Sequence, residues 1–174
     1  GAMPVERILG EMGIEVITVP EQREPDGNFP TVEYPNPEES SAMKMALSLG
    51  KEKNADLVMG TDPDSDRIGI AVPDGLGDFV LITGNQLGAL LADYIFKSKK
   101  ELGTLPKRPA FVKTIVTTDL QKRIAESYGA ETYNVLTGFK YIGEKIRQFE
   151  SETDGPEYVF GGEESYGFLV ETEA

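Results

Sequence analysis

The sequence predicts an α/β protein: two consecutive α/β domains with mixed, largely parallel sheets. Three observations carry this. Short β-rich runs alternate with amphipathic helical runs along the whole chain. A turn cluster, Asp74-Gly75-Leu76-Gly77-Asp78, followed by one more strand, separates an earlier set of elements from a later one. At 174 residues, 39% hydrophobic and 27% charged, the chain can bury a core for one ordinary domain or two small ones. The boundary is expected just after the strand behind the turn cluster, giving domains at 1–82 and 83–174.

In the first domain, Val5, Ile8, Leu9 and Met12 have helical spacing, and Gly13 stands where a helix-ending glycine belongs. Glu15 to Val19 alternates and predicts a strand. Pro20 to Pro37 holds five of the eleven prolines and predicts an extended, irregular connection. A helix is expected over Ala42 to Lys53, capped by Ser40 or Ser41, with Met43, Ala46, Leu47 and Leu49 on one face. Asp56 to Met59, Ile68 to Val72 and Phe79 to Ile82 predict strands, the last two forming a hairpin.

In the second, Asn85 is expected to cap a long helix, Gln86 to Lys99, burying Leu87, Leu90, Leu91, Tyr94 and Ile95. A basic, proline-containing loop then leads to two βα units. These comprise a strand at Ala110 to Val116 and a helix at Asp119 to Tyr128, then a strand at Glu131 to Val135 and a helix at Gly138 to Glu150. Tyr158 to Phe160 and Phe168 to Val170 complete the strands, on either side of Gly161-Gly162-Glu163-Glu164-Ser165-Tyr166-Gly167.

Composition narrows the chemistry. There is no cysteine and no histidine, so disulfides, thiolate zinc sites, a cysteine nucleophile and a histidine base are excluded. Carboxylates, lysine, arginine and hydroxyls remain. A net charge of -13, with 17 basic residues scattered among 30 acids, predicts neither a nucleic-acid partner nor an anionic membrane surface. No apolar run is long enough for a membrane span, and a cytoplasmic location is expected. An anionic substrate would need local cations, which directs attention to Arg67, Lys113 and Lys140.

The densest feature is Thr61-Asp62-Pro63-Asp64-Ser65-Asp66-Arg67. Pro63 disfavours helix, and in an extended loop Asp62, Asp64 and Asp66 project to one side. Converging carboxylates repel one another, and a hard cation such as Mg²⁺ relieves that repulsion. Arg67 adds a planar fork suited to a phosphate beside the metal. A calcium EF-hand is excluded, because its sixth and twelfth positions would be Arg67 and Pro73. The aspartyl-nucleophile loop of haloacid dehalogenase-type enzymes is disfavoured by Asp66 at its fifth position. The plain alternative is a solvated acidic turn.

Two further loops follow strands. Glu163 and Ser165 offer a carboxylate and a hydroxyl suited to vicinal sugar hydroxyls, although such residues also populate turns for backbone reasons alone. Leu136-Thr137-Gly138-Phe139-Lys140 opens a helix, where free N–H groups can receive an anion. Lys140 in a first helical turn opposes the helix dipole, which suggests a use other than stability; an exposed, solvated lysine is the alternative.

Asp62 to Arg67, Thr137-Gly138-Phe139-Lys140 and Gly162-Glu163-Glu164-Ser165 together resemble the α-D-phosphohexomutase superfamily, the phosphoglucomutases and phosphomannomutases. Glu24 to Val32 and Pro35 to Glu39 resemble that family's second domain. The resemblance implies a four-domain parent in which a phosphoserine exchanges its phosphoryl group with a hexose or pentose phosphate through a sugar 1,6-bisphosphate. It implies Mg²⁺ on Asp62, Asp64 and Asp66, phosphoryl contact by Arg67, sugar contacts by Glu163 and Ser165, and a sugar site lined by Thr137, Gly138 and Lys140. The serine loop of the family is absent from this sequence, as is its C-terminal phosphate-binding domain. The chain is therefore expected to be most of domains two and three, inactive without domains one and four. A noncatalytic Mg²⁺ and sugar-phosphate-binding module and a metal-dependent sugar phosphatase are the competing expectations.

Overall fold

Short connections decide how the first sheet pairs. In the computed structural model, which describes residues 1–171, strands β1 (Val58–Thr61), β2 (Ile68–Pro73) and β3 (Phe79–Ile82) are joined by brief loops that allow only antiparallel neighbours. They form a meander in the order β1-β2-β3, with Thr61 opposite Ile68 and Pro73 opposite Phe79. The expected β2–β3 hairpin forms, and the parallel pairing belongs to the second sheet.

Helix α1 spans Ala2–Glu11 and α2 Pro20–Arg23, and neither buries a residue. Helix α3, Ser40–Lys53, covers the sheet through Met43, which packs with Val58, Ala71, Ala46, Leu47, Phe79 and Leu81. Neither Ser40 nor Ser41 caps it. Glu39 is the N-cap, without a side-chain hydrogen bond, and Asn54 ends the helix in the left-handed conformation at φ 53°. Gly50 has a packing reason: a Cβ there would stand 2.6 Å from Val58 Cγ2. The strand expected over Glu15 to Val19 does not form, and Ile14 and Ile17 are exposed. An alternating segment becomes a strand only when a neighbour supplies its ladder, and no described strand pairs with this one. The proline-rich connection is irregular as expected, except for the single turn of α2.

The chain divides into two units between Ile82 and Thr83. In the second, α4 (Gly84–Leu102), β4 (Pro109–Thr114), α5 (Asp119–Ser127), β5 (Glu131–Val135), α6 (Phe139–Ser151), β6 (Glu157–Gly162) and β7 (Phe168–Val170) build a sheet of order β5-β4-β6-β7. β4 runs parallel to both neighbours, and β7 is antiparallel to β6. Alternation along β4 and β6 feeds two cores. Phe111 and Phe160 meet Ala92, Ile95 and Phe96 of α4 and Ala125 of α5, whereas Ala110, Val112 and Tyr158 meet Ile142 and Phe149 of α6. Helices therefore cover both faces.

Helix α4 starts earlier than its sequence suggests. Thr83 caps it in a reciprocal box, with Gln86 N donating to Thr83 Oγ1 at 3.3 Å and Thr83 N donating to Gln86 Oε1 at 2.9 Å. Asn85, the expected cap, instead accepts from Thr118 N at 2.9 Å and ties α4 to the β4–α5 loop. Of its expected buried face, Leu90 and Tyr94 are exposed. At the opposite, N-terminal end of the sheet, Arg108 Nη2 donates to Glu131 Oε1 at 3.2 Å, and Tyr133 Oη donates to Glu131 Oε2 at 2.5 Å. The Tyr133 hydroxyl, and then Arg108, hold the Glu131 carboxyl below its ordinary range. Partial burial and the same carboxylate push Tyr133 up to about 12.

Candidate functional site

The acidic loop joins β1 to β2 and is a turn rather than an extended run. Ser65 N donates to the Asp62 carbonyl at 3.2 Å, and Ser65 itself is left-handed at φ 66°. The turn still gathers the three aspartates. One carboxylate oxygen from each of Asp62, Asp64 and Asp66 lies within 4.8 Å of the others. Asp62 is buried at 7% exposure, and the other two face solvent. Its Oδ1 accepts from Arg67 N at 3.2 Å, which orients the carboxylate. The Arg67 side chain lies alongside, with Nε 3.6 Å from Asp62 Oδ2 and 3.9 Å from Asp66 Oδ1.

This donor set fits a hard divalent cation. Around Mg²⁺ at ~2.1 Å, adjacent ligand oxygens of an octahedron are ~3 Å apart and opposite ones ~4.2 Å. Small rotations of the exposed Asp64 and Asp66 side chains close the observed spread. Three carboxylates against one guanidinium leave an excess of negative charge, and all the donors are oxygen, as Mg²⁺ prefers.

The hairpin stem holds the loop to its support. Gly60 and Gly69 pair across β1 and β2. A Cβ on Gly60 would meet Met43 Sδ at 2.4 Å, and one on Gly69 would meet the Pro37 carbonyl oxygen at 2.7 Å. The Pro35-Asn36-Pro37 segment and α3 therefore rest directly on the backbone beneath the aspartates.

In the second unit the remaining candidates gather at the C-terminal ends of β5 and β6, the edge where α/β sheets receive ligands. Gly138, at φ 125°, is the N-cap of α6. Its N–H donates to Glu163 Oε1 at 2.6 Å, so the anion at this helix start is a carboxylate of the chain itself. Glu163 is 8% exposed, and its second oxygen has no hydrogen-bond partner among the described residues. Gly162 to Phe168 forms a turn, not an extended loop, with Glu163 N donating to the Gly167 carbonyl at 2.8 Å and Tyr166 at φ 68°. Ser165 lies half-buried on that turn, its hydroxyl unpaired among the described residues. Thr137 and Lys140, close in sequence to the Gly138 N-cap, are exposed, and Lys140 Nζ stands 4.7 Å from the Tyr141 ring centre.

Lys113, marked in the sequence only by its charge, is 2% exposed at the end of β4. Its Nζ donates to the Thr117 carbonyl at 2.7 Å and pairs with Asp119 at 3.2 Å. Thr114, Thr117 and Glu164 form a neighbouring polar group that sequence reasoning missed. Nothing in the spacing connects residues 50 positions apart, as Thr114 and Glu164 are.

Fold and site define a pair of α/β units, one carrying an oxygen-donor cluster and the other a carboxylate and hydroxyl turn at the C-terminal end of β6. Family models agree on what pair this is. Residues 1–75 match α/β/α domain II of phosphoglucomutase/phosphomannomutase, and residues 83–174 match domain III. The chain belongs to the phosphoglucomutase/phosphomannomutase family. It is 41% identical over 150 residues to a phosphoglucomutase of Staphylococcus aureus (strain USA300), a match covering 86% of this chain and 26% of that protein. It thus spans about a quarter of the length of the curated relatives it matches. A crystal structure of a phosphoglucomutase/phosphomannomutase family protein from Burkholderia thailandensis superposes with a TM-score of 0.75 at 20% identity, covering 98% of this chain and 32% of that one. Aspergillus fumigatus N-acetylphosphoglucosamine mutase, crystallised with GlcNAc-6P and magnesium, superposes with a TM-score of 0.50 at 19% identity, covering 72% and 24%. Among the described residues no helix is long and apolar enough to cross a membrane.

Proposed function

We propose that this chain is the metal-binding and sugar-binding middle portion of a phosphohexomutase, an isomerase that interconverts sugar 1-phosphates and 6-phosphates. Family membership supports the reaction class. The observation that carries the site assignment is the convergence of Asp62, Asp64 and Asp66 to within 4.8 Å, with Arg67 against them. These three aspartates would hold Mg²⁺, the ion crystallised with the Aspergillus fumigatus mutase. Bound there, the ion supplies neutralisation of the charge on a phosphoryl group in transfer.

The chain's own residues do the positioning. Asp62, fixed by the Arg67 N–H, sets the direction of the cluster, and the Arg67 guanidinium can turn from the aspartates to a phosphoryl oxygen. Glu163 presents its free carboxylate oxygen to sugar hydroxyls, held at the correct angle by Gly138 N–H. Ser165 offers an uncommitted hydroxyl on the same turn. Thr137 lines the approach, and Lys140 supplies an exposed positive charge for the substrate phosphate. The phosphoserine that gives and takes the phosphoryl group, through a sugar 1,6-bisphosphate, lies on another part of the parent chain. Soluble, cytoplasmic operation on a phosphorylated hexose or pentose follows from this reading.

Calorimetric titration with Mg²⁺ tests the metal assignment. The wild-type chain binds one ion, and Asp64→Asn weakens binding by at least about tenfold; unchanged affinity in that variant overturns the assignment. Incubation with glucose 1-phosphate gives no turnover by this chain alone. Measurable isomerisation would show that the transferring group is here after all.

A further inference from the structure

The Glu163–Ser165 turn is anchored on three sides, and one anchor is a carboxylate that the proposed sugar site does not use. Glu163 ties the turn to α6 through Gly138 N. The backbone of Glu164 lies on the first residue of α4, where a Cβ on Gly84 would stand 1.9 Å from the Glu164 carbonyl oxygen. The third anchor is the Glu164 side chain. Its Oε2 accepts from Thr114 Oγ1 at 3.1 Å and from Thr117 Oγ1 at 3.2 Å, and the two hydroxyls are themselves 2.7 Å apart. Both threonines are buried, at 0% and 3% exposure, so these hydroxyls have no water to fall back on when the carboxylate is removed. Through Thr118, whose N–H donates to Asn85 Oδ1, the same β4–α5 loop is also fixed to α4. The β6–β7 turn, the β4–α5 loop and the start of α4 thus form one knot, and Ser165 sits next to its carboxylate fastening.

From this geometry we infer that Glu164 is a positioning residue: its carboxylate latches the β6–β7 turn to the Thr114 and Thr117 hydroxyls and so sets where Glu163 and Ser165 meet a sugar phosphate. The inference rests on the proposed sugar-binding role of that turn. The latch requires an oxygen acceptor at the Oε2 position and the full length of the side chain, not a negative charge. Glu164→Gln can keep the acceptor, whereas Glu164→Ala removes it. The substrate contact itself belongs to Glu163 Oε2 and the Ser165 hydroxyl, which have no hydrogen-bond partner among the described residues.

The test uses the whole chain, isotopically labelled, with glucose 6-phosphate as the probe. Affinity is read from the shifts of the Gly138, Glu163 and Ser165 amides, and amide exchange and melting temperature are measured in parallel. In Glu164→Ala the affinity falls about tenfold, and exchange at Ser165 to Gly167 rises by a similar factor, as expected for taking the acceptor away from buried hydroxyls. Glu164→Gln restores both to within about threefold of wild type. Thr117→Val removes one latching hydroxyl without a large change of volume, and an intermediate loss in this variant supports the latch even if Glu164→Ala fails to fold. Wild-type affinity and exchange in Glu164→Ala or in Thr117→Val overturn the proposal. So does a Glu164→Gln variant as impaired as Glu164→Ala, since the charge would then be what matters. Failure of wild type to respond to glucose 6-phosphate overturns the sugar-binding reading instead, and exchange at Ser165 to Gly167 then decides the latch alone.

Discussion

Arg67 is at once a neighbour of the proposed metal and a rival to it, and replacing it makes the rivalry measurable. Arg67→Met removes the positive charge and keeps most of the aliphatic stem. The guanidinium Nε lies 3.6 Å from Asp62 Oδ2. An ion bound to that oxygen at ~2.1 Å is therefore no farther than ~5.7 Å from the Nε position. Two charges on the ion against one on the arginine, at the dielectric of water, give a repulsion of ~1.5 kcal/mol, about a tenfold change in affinity. At ~0.15 M ionic strength, with a Debye length of ~8 Å, about half of this survives, or roughly threefold. Arg67→Met should accordingly bind Mg²⁺ tighter than wild type, by five- to tenfold at ~0.01 M salt and by about threefold at ~0.15 M. Isothermal titration at both ionic strengths reads this directly. Weaker binding in the variant would refute the argument, because Arg67 would then be aligning the carboxylates rather than opposing the ion. A tighter site whose gain ignores salt would refute its electrostatic origin.

Gly69→Ala places a methyl group 2.7 Å from the Pro37 carbonyl oxygen and 2.8 Å from Pro37 Cβ. The expected cost is ~1–3 kcal/mol from overpacking, seen as a lower urea midpoint with an unchanged slope. Glu131 is depressed below its ordinary value of 4.5 by Tyr133 and Arg108, so its contribution to stability is present above that value and is lost as pH falls through the folded-state value. Glu131→Gln should flatten this acid limb in melts taken across pH 2–6. Tyr133 has the opposite sign: raised to about 12, it contributes stability below its ordinary value of 10, which is lost as pH climbs from there towards about 12. Tyr133→Phe should remove that alkaline step.

Local signals in this sequence are accurate where a residue's immediate neighbours decide the outcome. β3, β5 and β7 lie on the residues their alternation and flanking turns predict. Errors arise where a distant partner decides. Glu15 to Val19 has a strand's pattern but no ladder to join, and Asn85 has a cap's chemistry but is spent on Thr118 N, leaving the capping to Thr83. The β2–β3 hairpin forms as its turn cluster predicts, and loops as short as 62–67 and 74–78 confine the parallel pairing of these mixed sheets to the second unit.

The candidate site shows the same division. Periodicity suggested that Asp62, Asp64 and Asp66 converge because the loop is extended; they converge in a turn closed by Ser65 N, so the grouping has a different cause. The contact of Glu163 with Gly138 and the latch of Glu164 on Thr114 and Thr117 depend on which strands are neighbours in the β5-β4-β6-β7 sheet. No short-range pattern encodes that order.

The two sheets also differ in when they can be completed. Each strand of the β1-β2-β3 meander pairs with the one just before or after it in the chain, so this sheet closes from contacts at short sequence separation. β4, buried along its whole length, must leave one of its edges open until β6 has emerged, and Ala110 waits for Tyr158. During synthesis the first unit can therefore fold while β4 is still an unpaired apolar strand. Until β6 emerges at least one edge of β4 is open, and that interval exposes the nascent chain to misassociation.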